Sequence, residues 1–233
     1  MKDFSNKYIF IFAVVMVALV AALLSTAALV LQPTQEKNRE IEKKRNILAS
    51  VKIEADRSNA EALYEKTIIK SLVINSNGDV IENVDPFTIE LRPEQKKPVE
   101  LQNLPLFVAT VEGNKNVIII PLEGKGLWGP IYGYISLEED MSTIYGVTFD
   151  HKGETPGLGA EINTEAFEGM FPGKKLFEGG KFVSIKVVKG GASDTDPHGV
   201  DAISGGTITS VGLEAMLKDC LVKYQKYLNN NKI

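Results

Sequence analysis

The first strong feature of the hydrophobic pattern is an unbroken apolar run near the N-terminus. Residues 8–31 read YIFIFAVVMVALVAALLSTAALVL and contain no charged side chain. A helix needs about 20 apolar residues to cross a bilayer, so this run predicts a single transmembrane helix. A cleavable signal peptide is the alternative, but its apolar region is only about 7–15 residues long. The longer run favours an uncleaved membrane anchor over residues 1–32.

The pattern then changes to a charged stretch with a thin apolar stripe. Residues 35–51 read QEKNREIEKKRNILASV, and Ile41, Leu48 and Val51 give the stripe. This pattern predicts a helix with solvated charges. We therefore expect a juxtamembrane helical segment over residues 33–66 that lifts the following domain off the membrane.

Alternating apolar and polar positions follow, and they predict strands. Residues 71–84, with Asn-Gly-Asp at 77–79, predict a hairpin, and residues 106–122 predict a second one. Between them, four prolines at 86, 93, 98 and 105 predict a surface excursion. Further strands are predicted at 131–137, 143–149 and 182–188.

Helical spacing returns towards the C-terminus. A short helix is expected near 164–169 and a longer one at 211–228. The apolar positions that recur at helical spacing in the longer one are Leu213, Leu217, Leu221, Tyr224 and Leu228. The chain from 67 to 233 is therefore expected to form one α+β domain, a mostly antiparallel sheet with flanking helices.

Composition excludes several functional classes. The 233 residues carry a formal net charge of −4 without a long basic run, which predicts no nucleic-acid partner. The single cysteine, Cys220, excludes an intrachain disulfide. With only His151 and His198 besides it, the chain is poorly supplied with soft metal ligands. We expect no metal site.

Three glycine-rich stretches interrupt the predicted strands and helices. They read GKGLWGPIYG at 124–133, HKGETPGLG at 151–159 and DAISGGTITS at 201–210. Glycine lets the backbone approach a ligand closely, although each stretch by itself is more typical of a tight turn.

The third stretch is the most informative because it opens a predicted helix. A helix start offers unpaired N–H groups and the positive end of the helix dipole, which suits a phosphate. Thr209 or Ser210 is predicted as the N-cap, which leaves Ser204 and Thr207 as surplus hydroxyls. The stretch lacks the Walker, dinucleotide and Gly-x-Ser-x-Gly patterns. A surplus threonine here is a candidate attachment point for a phosphate ester.

At this point the residues are similar to a known family. DAISGGT at 201–207 resembles the flavinylation motif of FMN-binding domains, Asp-Gly-x-Ser/Thr-Gly-Ala-Thr, although Ala202 and Gly206 differ from it. LQPTQEKN at 31–38, GLWG at 126–129 and ETPGLG at 154–159 resemble the C subunits of sodium-translocating NADH:quinone oxidoreductase, the Nqr complex.

The resemblance implies FMN joined to Thr207 through a phosphoester. It implies that Asp201 and Ser204 shape the loop recognised by a flavin transferase, which takes FMN from FAD with magnesium. Glu154 and Thr155 would make polar contacts, while Leu158, Leu127 and Trp128 would cover the isoalloxazine ring. On composition alone, Trp128 could equally be a buried core residue. The implied cofactor-binding residues are Thr207, Glu154, Thr155, Gly157, Leu158, Gly159, Leu127, Trp128, Asp201, Ser204, Gly205, Gly206, Ile208 and Thr209.

The implied function is electron transfer within a sodium-pumping complex that oxidises NADH and reduces quinone. Its partners would be the other Nqr subunits, the flavin transferase and the cytoplasmic (inner) membrane, with the domain on the outer side. The positive-inside rule opposes that side, because Lys2 and Lys7 precede the apolar run and five basic residues follow it within 37–45. The alternatives are the G subunit of an Rnf-type complex and a non-redox tethered module that binds a phosphate ligand or scaffolds partners.

Overall fold

A single long helix forms the N-terminal part of the chain. The computed structural model describes residues 5–231, so the first four residues of the predicted anchor, Lys2 among them, and the last two of the predicted domain lie outside it. Helix α1 spans Asn6–Ser50 and contains Pro33. Among the described residues it is the one helix long and apolar enough to cross a membrane. The chain divides into two compact units, residues 1–43 and 44–233.

The second unit is built on an antiparallel sheet, as predicted. Within the described chain this sheet has six strands, in the order β2-β1-β3-β4-β5-β6. The strands are β1 (Ile68–Ile74), β2 (Val80–Ile81), β3 (Leu104–Val111), β4 (Lys115–Lys125), β5 (Pro130–Leu137) and β6 (Ile144–His151). Both predicted hairpins are confirmed, and their turns contain Gly78 and Gly113 at φ 89° and 79°. Positive φ of this size is readily adopted by glycine.

The predicted strand at 182–188 is wrong, because the chain breaks in its middle. Strand β7 (Phe177–Glu178) pairs with β8 (Lys181–Phe182), and β9 (Lys186–Val188) pairs in parallel with β10 (Gly199–Asp201). Ser184 has φ 62°, and the N–H groups of Val183 and Ser184 both donate to the Leu176 carbonyl. A left-handed residue cannot continue an extended strand, so two short strands form instead.

The remaining helices are mostly short. They are α2 (Ala60–Thr67), α3 (Leu91–Glu94), α4 (Glu165–Glu168), α5 (Thr207–Leu221) and α6 (Gln225–Asn230). Helix α4 confirms the short helix predicted near 164–169. The predicted boundaries of the longer helix are wrong, since α5 begins four residues earlier than 211 and a 3-10 turn at Val222–Tyr224 separates it from α6.

The sheet buries both of its faces. On β4, Ile118, Ile120 and Leu122 belong to the larger core cluster, which includes the buried side of α5. Val117 and Ile119 belong to the second cluster, together with Ile47 and Val51 from the end of α1 and just beyond it. This alternation is the two-residue period of a strand. All five apolar positions predicted for the long helix are buried.

Two glycines bring α5 against the end of β4. A Cβ on Gly212 would overlap the carbonyl oxygen of Lys125, and a Cβ on Gly124 would meet the Met216 side chain at 2.6 Å. The absence of side chains at these two positions lets helix and strand approach closely. The loop that follows β4 therefore lies beside the start of α5.

Candidate functional site

The three glycine-rich loops meet around one carboxylate, that of Glu154. Its Oε2 accepts a hydrogen bond of 2.6 Å from the Thr209 hydroxyl, and its Oε1 accepts one of 2.9 Å from the backbone N–H of Trp128. Glu154 is only 5% exposed. A Cβ on Gly126 or Gly159 would overlap this carboxylate. Glycine at these positions therefore leaves space for the Glu154 carboxylate, which joins the three loops.

The hydrogen bonds keep Glu154 ionised despite its burial. Burial is the largest single influence and raises the pKa of this carboxyl. Hydrogen bonds from the Thr209 hydroxyl and from the N–H groups of Trp128 and Gly129 outweigh it, and the net pKa is lowered. A carboxylate that accepts several hydrogen bonds is stabilised in its charged form. Glu154 therefore holds the loops as an anion, and both of its oxygens bind protein groups.

The hydroxyls of the third loop fall into two classes. Ser204 and Thr207 are exposed, whereas Thr209 and Ser210 are 1% and 2% exposed. The prediction of Thr209 or Ser210 as the N-cap is wrong, because Gly206 precedes the first residue of α5. Thr209 instead binds Glu154, and the Ser210 Oγ accepts a hydrogen bond of 3.1 Å from the Ile203 N–H. The buried hydroxyls fasten the loop, and the exposed ones face solvent.

Thr207 is the first residue of α5. The first hydrogen bond of the helix runs from the Ser210 N–H to the Gly206 carbonyl at 2.9 Å, and Gly206 provides no side-chain cap. The backbone N–H groups of residues 207–209 thus precede the intrahelical ladder, at the positive end of the helix dipole. An exposed hydroxyl beside such groups suits a phosphate ester.

Several apolar side chains on the three loops and on the first turns of α5 are exposed. Trp128 is 69% exposed, so it is not a core residue, and Leu127 and Leu158 are 46% and 41% exposed. A Cβ on Gly205 would lie 2.5 Å from Leu158, which shows that the second loop rests on the third. We call Leu127, Trp128, Leu158, Ile208 and Val211 the apolar rim; the last two are 58% and 64% exposed on α5.

Other predicted residues shape the loops. Gly157 has φ 75°, and its N–H donates to Glu161 Oε1 at 2.9 Å. Thr155 is exposed, and its carbonyl accepts hydrogen bonds from the N–H groups of Leu158 and Ala160. A Cβ on Gly206 would lie 2.9 Å from the Ile203 side chain. Glycine therefore fits here better than the alanine usual in the motif.

Asp201 lies outside the network of Glu154. It stands at the end of β10, and its Oδ1 accepts a hydrogen bond of 2.7 Å from the Ala192 N–H. Its carboxylate thus fastens the loop between β9 and β10. Over residues 5–231 there is no group of three or more His, Cys, Asp or Glu side chains that could hold a metal ion.

Two residues of the site, His151 and Gly126, were not predicted from the sequence. The Glu154 N–H donates to His151 Nδ1 at 3.2 Å, and Gly126 makes room for the Glu154 carboxylate. A histidine three residues before ETPGLG and a glycine at the head of GLWG were the signals in the sequence. The sequence alone does not show that either residue contacts Glu154.

Comparison with known proteins identifies the family. The FMN-binding domain model matches residues 126–222. Two similar relatives, from Haemophilus ducreyi and Vibrio anguillarum, bear the name of the C subunit of Na(+)-translocating NADH-quinone reductase. They are 32% and 34% identical to this chain, and both alignments cover 88% of it and 86% of the relative.

Solved structures agree with these relatives. The crystal structure of the C subunit from Parabacteroides distasonis has a TM-score of 0.78 and 42% identity, and the match covers 85% of this chain and 96% of that one. NqrC from Shewanella oneidensis has a TM-score of 0.72 and 29% identity, covering 84% and 98%. The chain therefore belongs to the NqrC family, the C subunits of Na(+)-translocating NADH-quinone reductase, and contains an FMN-binding domain.

Proposed function

We propose that this chain is an electron-transfer subunit of a sodium-pumping NADH:quinone oxidoreductase and carries FMN covalently on Thr207. Family membership favours this function over the G subunit of an Rnf-type complex and over a non-redox tether. The observation that carries the proposal is an exposed threonine hydroxyl at an uncapped helix start, beside exposed apolar side chains. FMN supplies one-electron transfer, and the chain holds it and tunes its potential.

The attachment step uses Thr207 as the nucleophile. Its Oγ forms a bond to the FMN phosphorus of FAD in the active site of a magnesium-dependent flavin transferase. The bond between the two FAD phosphates breaks, and AMP leaves with the hydroxyl proton. The N–H groups at the start of α5 favour the negative charge of the resulting phosphodiester. Thr209 and Ser210 are buried and hydrogen-bonded, so they are poor competitors.

The test of this function compares Thr207→Ala with Thr195→Ala in the intact complex, made together with its transferase. We expect Thr207→Ala to lose the flavin that survives denaturation and fluoresces in a gel, and to lose NADH-driven quinone reduction. Thr195→Ala should retain both, because this exposed threonine lies outside the motif at 201–207. Covalent flavin or full activity in the Thr207→Ala complex would refute the proposal.

The ring is proposed to rest on Leu158, Leu127 and Trp128, with the exposed Thr155 placed for a polar contact. A substitution can then disturb the contacts of the ring without removing the covalent attachment at Thr207. Leu158→Ala should leave FMN attached but shift its fluorescence and reduction potential, because the ring loses an apolar contact. The matched control is Leu101→Ala, a leucine 67% exposed elsewhere on the domain. A Leu158→Ala protein with the flavin spectrum and potential of the wild type would contradict this role.

We further propose that residues 1–32 anchor the chain in the cytoplasmic membrane, that 33–66 link the anchor to the domain, and that 67–233 carry the flavin on the outer side. The basic residues after the anchor oppose this side, but long domains translocate largely regardless of charge. Protease added to spheroplasts should degrade the domain. Digestion only after lysis would place it in the cytoplasm.

The outer part of the apolar rim, Ile208 and Val211, is proposed to contact an apolar surface of another subunit of the complex. Both side chains are more than half exposed and lie beside Thr207 on α5. Val211→Lys should slow flavin reduction by NADH in the complex while flavin content and dithionite reduction stay normal. Val222→Lys, at a residue 45% exposed just after α5, is the control. Equal rates for both variants would exclude this contact surface.

A further inference from the structure

The two histidines of the chain are held in opposite tautomers. His151 Nδ1 lies 3.2 Å from the Glu154 backbone nitrogen, whose N–H donates to it. This ring nitrogen must be unprotonated, so the neutral ring carries its proton on Nε2. His198 Nδ1 lies 2.6 Å from the Lys175 carbonyl oxygen. Because a carbonyl only accepts hydrogen bonds, His198 carries its proton on Nδ1.

The position of His151 gives its tautomer a structural consequence. His151 is the last residue of β6 and pairs with Ile131 on β5, so its backbone is fixed to the sheet. Its ring then accepts from the Glu154 N–H, three residues into the second glycine-rich loop. The carboxylate of the same Glu154 accepts from Trp128 and Thr209. The imidazole thus connects the sheet directly to Glu154, the residue that joins the three loops.

We propose that His151 is a positioning residue of the site, and that it acts through the lone pair of Nδ1 by fixing the backbone of Glu154. It does not touch the cofactor in this proposal. It acts on Glu154, and Glu154 sets the relative positions of Trp128, Leu158 and the start of α5. The inference concerns the loops of the flavin-free chain, so it can fail or succeed independently of covalent attachment at Thr207.

The tautomer itself is the first measurement. The full chain, produced without the flavin transferase and labelled with ¹⁵N-histidine, gives only two sets of ring signals in a long-range ¹H–¹⁵N correlation spectrum. A His198→Asn sample assigns them. At neutral to mildly alkaline pH we expect His151 to show an unprotonated Nδ1 and a protonated Nε2, and His198 to show the reverse. A protonated Nδ1 on His151 would overturn the proposal.

The second measurement tests whether the acceptor atom positions the loop. His151→Phe keeps a ring and removes the acceptor, whereas His151→Asn keeps an acceptor oxygen near the position of Nδ1. Lys152 and Lys189 are both exposed and each precedes a glycine, so trypsin can report on two loops in one digest. We expect several-fold faster cleavage after Lys152 in His151→Phe, near wild-type cleavage in His151→Asn, and unchanged cleavage after Lys189.

A matched control and a spectroscopic readout complete the test. His198→Phe, which alters the other tautomer, should leave cleavage after Lys152 unchanged. The fluorescence of Trp128, the only tryptophan, should change in His151→Phe and recover in His151→Asn. Wild-type cleavage and fluorescence in His151→Phe would refute the proposal. So would equal defects in the Phe and Asn variants, because ring packing rather than the acceptor would then matter. If His151→Phe fails to fold, the tautomer measurement on the wild-type chain still tests the proposal.

Discussion

At the scale of single residues, the same chemical group has different roles within one helical turn. Thr207 and Thr209 both carry hydroxyls near the start of α5, but the first is exposed and the second binds a buried carboxylate. The sequence predicted that some hydroxyls were surplus to helix capping. It could not predict which, because the partner of Thr209 lies 55 residues away along the chain.

This difference gives a stability prediction. Thr209→Val removes the donor to Glu154 and leaves a buried carboxylate short of one hydrogen bond, which typically costs about 1–3 kcal/mol. Thr207→Val alters an exposed side chain and should change the unfolding free energy by no more than about 0.5 kcal/mol. Urea denaturation followed by Trp128 fluorescence measures both. Equal losses in the two variants would contradict the role of Thr209 as the partner of Glu154.

Trp128 shows the limit of composition as a guide at this scale. A tryptophan is usually largely buried, and only the resemblance of GLWG to a known family favoured a surface role. Trp128 lies in the turn between β4 and β5, where its side chain is exposed while its backbone N–H is held by Glu154.

At the scale of elements, the edge strand β6 is held to α4 by a carboxyl with an unusual pKa. Glu168 Oε1 accepts a hydrogen bond of 2.6 Å from the Phe149 N–H. Burial raises the pKa of Glu168 from its ordinary 4.5 to about 7; hydrogen bonds from Phe149 and Thr148 oppose this, and Asp150 adds to it. The folded chain thus retains this proton more strongly than the unfolded chain does.

The sign of the pH dependence follows from this shift. A folded pKa above the unfolded one stabilises the protonated form, so the Glu168 contribution is fully present below about pH 4.5 and is lost as the pH rises through about 7. Denaturation midpoints between these values should fall less steeply with pH in Glu168→Gln than in the wild type. Glu165→Gln, on the exposed side of α4, is the control. Identical slopes for the Glu168→Gln variant and the wild type would contradict the assignment.

The close contact of α5 with β4 should reverse the usual effect of a glycine-to-alanine substitution on helix stability. Glycine to alanine inside a helix usually stabilises by about 1 kcal/mol. Gly212→Ala should instead destabilise by about 1–3 kcal/mol, because its Cβ would overlap the Lys125 carbonyl oxygen. Gly153→Ala, where no atom lies within 4 Å of a Cβ, is the control in the same denaturation experiment. Gain of stability in Gly212→Ala would mean that the helix does not press on the strand.

The boundaries of elements were less predictable than their existence. Both hairpins and the apolar stripe of α5 follow from local periodicity. The start of α5 at Thr207 and the break at Ser184 do not, because Thr209 binds the distant Glu154 instead of capping the helix and the Ser184 N–H donates to the Leu176 carbonyl.

At the scale of the whole molecule, the sheet brings the three loops to one place. Two of them follow β4 and β6, which flank β5 in the sheet, and the third opens the helix that packs on β4. Sequence patterns predicted each loop and the α+β class, and the resemblance predicted FMN. That all three loops are joined through one buried carboxylate follows only from the tertiary structure, because no local pattern encodes it.

The position of the flavin on the chain is the most direct test of the proposed function. Tryptic digestion of the protein from its native host, followed by fragment-ion mass spectrometry, locates any adduct among the hydroxyls of the peptide that contains Ser204, Thr207, Thr209 and Ser210. We expect an adduct with the mass of FMN less one water, on Thr207 alone. An unmodified peptide, or an adduct on any of the other three hydroxyls, would contradict attachment at Thr207.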